Sequence, residues 1–434
     1  MKSSVSSAAR PGPSAYWKRN LAFIWISQFV AMMGFSYGLP FVAYFMQTDL
    51  HVSQSDLPFW LAAFGAASPL TMTVFAPVWG ALADRYGRRI MLLRAYFWGL
   101  IVLSLMGVAQ SVVFLVFLRL IQGALSGSVS ASQTLVATHT PSRHSGFALG
   151  ALNSAVFSGS LAGAFLGGWT AEHYGYRTAF ILSGGLMLIS LTLIFFGVRE
   201  KFVPPKKLEG ETLFASLKVE PTQLKIVLPI LLLMAGVMFV RQFDSSYIAV
   251  LVQTIHGSLE GASILSGILF AASGIAGVVS GFVMGWLADR FSPGMIAIFS
   301  AFATAFLILP HAFVTTVNWL FLMRFMMVFM GGGLEPVLQI WLCKKTPPES
   351  RGLVFGWAAS IRSMGWMFAP LCGGLVFEYA GVFSLFVVES FLYCILIICI
   401  WFAKRLLERL DIEEEKEKET EDMISKIDNI TIIK

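Results

Sequence analysis

Charged residues are scarce in this chain. Of its 434 residues only 13% are Asp, Glu, Lys or Arg, whereas 56% are hydrophobic. A soluble domain carries about 25% charged residues, so this composition cannot cover a surface that faces water. The mean hydropathy of +0.74 fits a surface that faces lipid, and apolar runs of about 20 residues, the length that crosses a bilayer, recur along the chain. The lack of charge excludes a soluble globular protein.

Motifs of several other protein classes are also missing. The sequence contains no G-x4-G-K-[ST] phosphate loop, which argues against an ATP-driven pump. Its cysteines match no zinc, redox or extracellular disulfide spacing, and its formal charge of +6 is spread over short loops instead of one basic surface. We therefore expect no enzyme, no metal, no other cofactor and no nucleic-acid partner. The four cysteines are Cys343, Cys372, Cys394 and Cys399.

Hydropathy predicts an all-α polytopic membrane protein with twelve transmembrane helices, here called spans 1 to 12. The first six cover residues 21–46, 58–83, 90–109, 112–137, 146–170 and 178–198. The second six cover residues 225–254, 262–288, 294–314, 317–342, 352–376 and 382–403. The chain thus divides into an N-terminal tail (1–20), a six-helix half (21–198), a polar linker (199–224), a second half (225–405) and a charged tail (406–434).

The distribution of Lys and Arg predicts the orientation, because basic residues mark short cytoplasmic loops. The six connections on one side contain a single basic residue, Arg177, whereas the connections on the other side are rich in them. Both termini are therefore expected in the cytoplasm. The basic residues of the predicted cytoplasmic connections include Arg85, Arg88, Arg89, Arg143, Lys206, Lys207, Lys344, Lys345 and Arg351.

The two halves repeat one another. The sequence GALADR, which ends span 2, recurs as GWLADR at the end of span 8, and the two aspartates are 289 − 84 = 205 residues apart. Arg119 in span 4 corresponds to Arg324 in span 10, again at 324 − 119 = 205. Since six helices separate the copies, both halves insert with the same orientation. Such a parallel repeat predicts a cavity between the halves, near the middle of the membrane.

Three motifs resemble the major facilitator superfamily, over about residues 17–405. They are GALADRYGRR (80–89) between spans 2 and 3, a span 4 motif with Arg119, Gln122 and Gly123, and a span 5 motif with Gly159, Gly163, Gly167 and Gly168. The chain looks most like the twelve-helix drug:proton antiporters of that superfamily, in particular its bacterial multidrug efflux transporters. One position departs from the span 5 pattern, because Ala164 stands where the family normally has proline.

The resemblance implies a transporter of the bacterial inner membrane that works as a monomer in the lipid bilayer. It implies export of small lipophilic molecules by proton antiport through alternating access. Export of an endogenous solute such as a siderophore, sugar or metabolite remains an alternative. Proton-coupled uptake and a membrane sensor that does not transport are further alternatives.

The loop after span 2 is a candidate gate. A carboxylate beside a helix N-terminus gains about 0.3–1 kcal/mol from unpaired N–H groups and the helix dipole. By the repeat, Asp84 is expected to contact span 11 near Gly352, and Asp289 to contact span 5 near Gly146, so that both latch the cytoplasmic side shut. The expected gating residues are Gly80, Asp84, Arg85, Gly87, Arg88, Arg89, Asp289 and Arg290.

Charges inside spans are costly and therefore functional candidates. Proton coupling needs a carboxyl group whose surroundings change, because burial favours the protonated form and a nearby arginine favours the carboxylate. Asp244 in span 7 and Glu335 in span 10 are the coupling candidates, whereas Glu389 lies on span 12, which we expect to be peripheral. Arg241 can pair with Asp244 at i, i+3. The partner candidates are Arg241, Arg324 and Arg362.

Aromatic residues are abundant, with 38 Phe and 12 Trp. Some are expected to line the cavity, where burial and cation–π contacts would suit bulky, lipophilic and cationic substrates. The candidates on spans 1 and 7 are Phe35, Tyr37, Tyr44, Phe243 and Tyr247.

The predicted orientation is testable with topology reporters. A reporter fused after Lys207 should show cytoplasmic activity, and one inserted in the loop at 49–55 should show activity outside the membrane. The opposite result at either position would overturn the orientation.

Overall fold

A computed structural model describes residues 17–141, 144–200, 221–346 and 351–432. The predicted N-terminal tail, apart from its last residues, and most of the predicted linker lie outside these ranges. The described helices of the first half are α1 (Trp17–Gly38), α2 (Val42–Thr48), α3 (Leu57–Tyr86), α4 (Arg88–Gly107), α5 (Val112–Leu125), α6 (Ser128–His139), α7 (Ser145–Tyr174) and α8 (Tyr176–Gly197). Those of the second half are α9 (Pro221–Arg241), α10 (Ile248–His256), α11 (Ala262–Arg290), α12 (Pro293–Ile308), α13 (Val317–Gly331), α14 (Leu334–Lys345), α15 (Arg351–Ala380) and α16 (Ser384–Ile432).

These helices form the twelve predicted spans. Eleven described helical segments are long and apolar enough to cross a membrane. Span 11, which is α15, has 30 residues but is more polar, since Arg362 and two serines interrupt its apolar sequence. It packs against α3 and α9 inside the bundle, where its polar face finds protein partners. The all-α fold with two six-helix halves is thus confirmed.

Spans 1, 4, 7 and 10 are each broken near the middle. Span 1 contains a 3-10 turn at Leu39–Phe41, which includes Pro40. Span 7 is interrupted between the end of α9 and the beginning of α10. In span 4 the break is at Gly127, whose φ of +119° favours glycine. Span 10 breaks at Gly332 and Gly333. The four breaks occupy corresponding places in the two halves, and such interrupted helices commonly form transport sites.

The glycines of span 5 bring its backbone into direct contact with that of span 1. A Cβ built on Gly159, Gly163 or Gly167 would lie only 2.2, 2.3 or 2.0 Å from a backbone oxygen of span 1. Glycine at every fourth position therefore lets the two backbones touch, as small residues do in membrane helix pairs.

The second half repeats this contact at the same spacing. A Cβ built on Gly365 of span 11 would lie 2.2 Å from the Ala235 oxygen of span 7, just as one on Gly159 would meet the Phe29 oxygen of span 1. Both members of the pair shift by the same number of residues, 365 − 159 = 206 and 235 − 29 = 206. The internal repeat is therefore present in packing as well as in sequence.

The two halves touch at one end of the bundle and separate at the other. Gly150 and Gly168 of span 5 are 168 − 150 = 18 residues, or about five turns, apart and share one face. A Cβ on Gly168 would lie 2.6 Å from the Ser263 oxygen of span 8, whereas one on Gly150 would meet nothing within 4 Å. Gly374 and Gly356 of span 11 show the same contrast.

Hydrogen bonds close the packed end, here called the outer end. The Tyr44 hydroxyl donates to the Ala249 oxygen at 2.6 Å, and Gln47 and Gln253 exchange hydrogen bonds at 3.0 and 3.1 Å. The Glu172 carboxylate accepts from the Gly261 amide at 2.5 Å. The opposite end, where α1 begins and span 12 leaves the membrane, is here called the terminal side. The two halves separate there, on the side that the orientation prediction places in the cytoplasm, and the space between them is here called the cavity.

Arg177, the basic residue expected outside, ties the outer connections of the first half together. Its Nε lies 2.9 Å from Asp49 Oδ1, and its Nη1 donates to the Ala109 oxygen at 2.9 Å. At the terminal side, α16 continues as helix to Ile432, through the predicted boundary at residue 405 and into the charged tail.

The glycine contact predicts a stability difference between two alanine variants of span 5. Gly163→Ala forces a methyl group against the Met33 oxygen, and such overpacking costs about 1–3 kcal/mol. Gly150→Ala is the matched control, since the added methyl group meets open space. We expect a lower melting temperature in detergent for Gly163→Ala only. Equal melting temperatures for the two variants would contradict the close contact.

Candidate functional site

The charged residues of the second half form two clusters, one in the cavity wall and one buried between helices. Three of the five spans that contribute to them, spans 7, 10 and 11, are the counterparts of spans 1, 4 and 5. The cavity cluster contains Glu335, Arg241 and Arg362. The buried cluster contains Asp244, Arg324, His311 and Glu389.

Glu335 joins three spans. It lies in the first turn of α14, directly after the glycine break of span 10, where the helix dipole favours a carboxylate. Its Oε2 lies 3.2 Å from Arg241 Nη1 of span 7, and its Oε1 accepts from Arg362 of span 11. Gln339 donates to Oε1 at 3.3 Å. The side chains of Glu335, Arg241 and Arg362 are 19%, 34% and 30% exposed, so that the cluster is only partly buried.

The pairing differs in part from the sequence expectation. Glu335 and Arg362 meet as expected, but Arg241 pairs with Glu335 instead of Asp244. The i, i+3 argument required a continuous helix, whereas α9 ends at Arg241 and residues 242–247 form turns. The break turns Asp244 away from Arg241. The break of span 10 likewise places Arg324 and Glu335 on different helices, α13 and α14.

Asp244 and Arg324 form the buried pair. Asp244 is fully buried and Arg324 is 9% exposed. The guanidinium contacts both carboxylate oxygens, through Nη1 to Oδ2 and through Nη2 to Oδ1 at 3.4 Å. Two parallel bonds of this kind add directional specificity to the charge attraction. The pair links span 7 to span 10 at the closed end of the cavity.

Glu389 and His311 were not placed here by sequence reasoning. Glu389 of span 12 is 1% exposed and lies within electrostatic range of Asp244 and Arg324, so this side chain is buried within the second half. His311 lies near the end of span 9, and its ring stacks on Phe386 of span 12 at 5.4 Å between centroids. A histidine within a predicted span was the available signal for this residue, since ionisable groups in membranes are functional candidates.

Among the described residues of the first half, Arg119 of span 4 contacts neutral groups. Arg119 contacts the Gln122 side chain and stacks 5.0 Å from the Phe64 ring. The residue that corresponds to Asp244 is Gly38, since 244 − 38 = 206. Gly123 of the same motif packs against span 2, because its Cβ position lies 2.1 Å from the Ser68 oxygen.

Arg94 of span 3 is a residue that the sequence analysis missed. Its guanidinium donates to the Leu125 and Ser126 oxygens at 2.9 and 3.0 Å. These carbonyls lie at the break of span 4, where they lack helical partners. Arg94 also lies 3.5 Å from the centre of the Trp79 ring. The arginine therefore stabilises the interrupted helix at its break.

The predicted cavity aromatics separate into two groups. Tyr44, Phe243 and Tyr247 are buried in the closed outer end, and the Tyr247 hydroxyl donates to the Pro370 oxygen at 2.6 Å. They pack the outer closure in this conformation and do not line the open cavity. Phe35 and Tyr37 are half-buried, and the Tyr37 hydroxyl lies 2.7 Å from that of Thr170.

The loop between spans 2 and 3 is fixed by a carboxylate, although a different one from Asp84. Gly87 has a φ of +96°, which favours glycine. The amides of Arg88 and Arg89, which begin α4, donate to the Glu200 carboxylate at 3.1 and 2.8 Å. Arg85 and Arg290 stack on neighbouring rings. The side chains of Asp84 and Asp289, and the surroundings of Gly146 and Gly352, lie outside the described part, so the latch stays a prediction.

Several solved transporter structures have the same fold. A bacterial homolog of the human lysosomal transporter Spinster, in an inward-facing and unoccupied conformation, matches 92% of this chain and 99% of its own, with a TM-score of 0.69 and 15% identity. The nucleoside transporter NupG matches 88% of this chain and 98% of its own, with a TM-score of 0.70 and 11% identity. At these identities the likeness concerns the fold alone.

Two kinds of sequence comparison agree with the fold. The multidrug resistance protein MdtG of Salmonella paratyphi B is 32% identical over 377 residues, which are 86% of this chain and 92% of MdtG. MdtG of Salmonella typhimurium is similar to the same extent. The family model of the major facilitator superfamily matches residues 24–240 and 233–427, one match for each half. The chain is therefore a membrane transporter, not an enzyme, and it belongs to the major facilitator superfamily.

Proposed function

We propose that this protein exports small lipophilic molecules in exchange for protons, by alternating access. The observation that carries the proposal is the Glu335 cluster, an ionisable carboxylate held by two arginines in the wall of a cavity that is open on one side. The similarity to MdtG, a multidrug resistance protein, over 92% of its length supports export as the direction.

The packing of the two halves supports alternating access. The outer end is closed by direct contacts of span 5 with span 8 and of span 2 with span 11, while the terminal side is open. The proposed latch would bring the same four spans together at the terminal side, so that rocking one half against the other exchanges the closed end for the open one. The glycine contacts within each half allow each half to move as a unit.

In the opposite state, which is open at the outer end, the latch would close the terminal side. In that state Asp84 would contact the first turn of span 11, and Asp289 that of span 5. The Phe291–Pro293 sequence after the second copy lacks the Gly-Arg-Arg ending of the first, so that we expect Asp84 to carry most of the effect.

Glu335 is suited to couple protons to substrate. Glu335 is partly exposed, so that it can exchange a proton with water in the open cavity. When a substrate approaches, Arg241 and Arg362 can move away from its carboxylate. Asp244 is the second coupling candidate, but its arginine partner is buried. The two carboxylates therefore differ in the cost of losing their charge.

The charge of the cavity cluster also bears on the substrate. Two guanidinium groups and one carboxylate leave one positive charge among these three side chains. Such a wall repels cations and suits neutral or anionic lipophilic molecules, which shifts the expectation away from the cationic substrates considered from the aromatic content. Anilinonaphthalene sulfonate, an anion, and ethidium, a cation, distinguish the two charge classes.

The latch predicts the behaviour of Asp84→Asn. Loss of the charge should lower transport of anilinonaphthalene sulfonate in vesicles by about fivefold, since about 1 kcal/mol from the helix dipole and the associated hydrogen bonds is lost. Membrane insertion should be unchanged, and cysteines placed at the terminal ends of spans 4 and 10 should react faster with maleimide. Glu408→Gln, which changes an exposed carboxylate on α16, is the control. Normal transport by Asp84→Asn would contradict the latch.

The coupling proposal predicts a difference between Glu335→Gln and Asp244→Asn. Glu335→Gln should fold, because Arg241 and Arg362 are partly solvated, but it should lose accumulation driven by a pH gradient and keep downhill exchange. Asp244→Asn should reduce expression, because it strands a buried arginine at a cost of about 3–5 kcal/mol.

The measurement is uptake of anilinonaphthalene sulfonate or ethidium into proteoliposomes, with and without an imposed pH gradient. Wild-type protein that transports neither dye under a gradient would contradict proton-coupled export of such molecules. If Glu335→Gln accumulates dye as the wild type does, the coupling residue is not Glu335.

A further inference from the structure

The buried cluster of the second half contains more carboxylate than its guanidinium can neutralise. Asp244 accepts hydrogen bonds from both Nη1 and Nη2 of Arg324 in a bidentate pair. Glu389, 1% exposed, lies beside this pair, and its Oε2 has no hydrogen-bond partner. An isolated buried carboxylate is far more costly than a buried carboxylic acid. The arrangement therefore favours a proton on Glu389.

The ionisable groups around Glu389 come from every side. Span 7 contributes Asp244, span 10 contributes Arg324, and span 12 itself contributes Tyr393. His311, at the end of span 9, interacts with Arg324 and Asp244. Arg241 acts on Tyr393, and Arg362 of span 11 is held by Glu335. Among these described groups Arg324 is the one cation that interacts with both Asp244 and Glu389.

The cluster lies toward the outer end of the bundle. Glu389 is five residues from Ser384, where α16 begins, which places it about 8 Å from the outer end of span 12. His311 lies in the 3-10 turn at the outer end of span 9, is fully buried and has an Nε2 without a partner. The cavity cluster around Glu335 lies beyond the break of span 10, on the terminal side. The two clusters therefore lie at different depths in the membrane.

We propose that Glu389 is the outer proton-binding site of this transporter. The inference rests on the proposed proton antiport, and it adds a residue and a location to it. In the conformation seen here, the outer end is closed, Glu389 holds the proton and Arg324 stays on Asp244. When Glu389 releases its proton, its carboxylate attracts Arg324, and the Asp244 pair between spans 7 and 10 loosens.

His311 is the positioning residue of this site. Its ring stacks on Phe386, three residues before Glu389 on span 12, and so fixes the turn that carries the carboxyl group. Since His311 lies nearest the outer end, opening that end exposes the histidine side of the cluster first. A proton from outside then reaches Glu389 without crossing the cavity, and Glu335 exchanges protons on the other side.

The first test is infrared spectroscopy of the full chain in lipid films during a pH titration. A protonated buried carboxyl group gives its own C=O stretching band. We expect this band in the wild type and in Glu378→Gln, a matched control at an exposed position at the end of span 11. The band should be missing in Glu389→Gln. Its persistence in Glu389→Gln would overturn the assignment, whatever the transported substrate is.

The second test is transport of anilinonaphthalene sulfonate in proteoliposomes. Glu389→Gln should melt within a few degrees of the wild type, because it mimics the protonated acid, and should lose at least tenfold of its gradient-driven accumulation while it keeps downhill exchange. Glu389→Asp should restore accumulation with a shifted pH profile, and His311→Gln should shift the profile without abolishing transport.

The outcomes separate the two proposals. Wild-type protein without gradient-driven accumulation contradicts the proposed antiport, and the infrared band then decides on Glu389 alone. A wild type that accumulates dye together with an equally active Glu389→Gln contradicts the outer proton site and leaves antiport intact. If Glu389→Gln does not fold, a Glu389→Asp variant with the wild-type pH profile would overturn the proposal.

Discussion

In the hydrocarbon of a bilayer, every charge and every backbone polar group needs a partner within the protein. This constraint explains the placement of nearly all the polar contacts described above. The breaks of spans 1, 4, 7 and 10 free backbone carbonyls, and Arg94 satisfies those of span 4. The same constraint gathers the intramembrane carboxylates of the second half around arginines, so that each ion pair also joins two or three spans.

The two halves share one packing scheme and differ in their chemistry. Both press glycines of one helix against the backbone of another, at the same spacing of 206 residues. Only the second half has carboxylates within its spans, since Gly38 corresponds to Asp244 and Ser130 corresponds to Glu335 at 335 − 130 = 205. Symmetric packing fits the proposed movement of two similar bodies, and the asymmetric charges are the reason for proposing the proton chemistry in one of them.

The charges are also divided along the membrane normal. Glu335 and its arginines lie in the open cavity and are solvated, whereas the Asp244–Arg324 pair and Glu389 are buried toward the closed outer end. Ion pairs in these two environments respond differently to a conformational change. Opening the outer end would solvate the second cluster and bury the first, which is the exchange of surroundings that a proton-coupled cycle requires.

The sequence by itself determined the class of the protein, the twelve spans, the repeat and the family, because lipid demands long apolar helices and the repeat leaves equal spacings in the chain. It also named Glu335 among the coupling candidates and Arg362 among the partner candidates, since charges inside spans are costly. Only the tertiary structure decided the other pairings. Helix breaks at Arg241 and Gly332 redirect Asp244 and separate Arg324 from Glu335, and a break changes direction in a way that periodicity does not record. Glu389 and His311 join the cluster from spans 12 and 9, because burial depends on which helices pack together, and that packing is a property of the folded bundle.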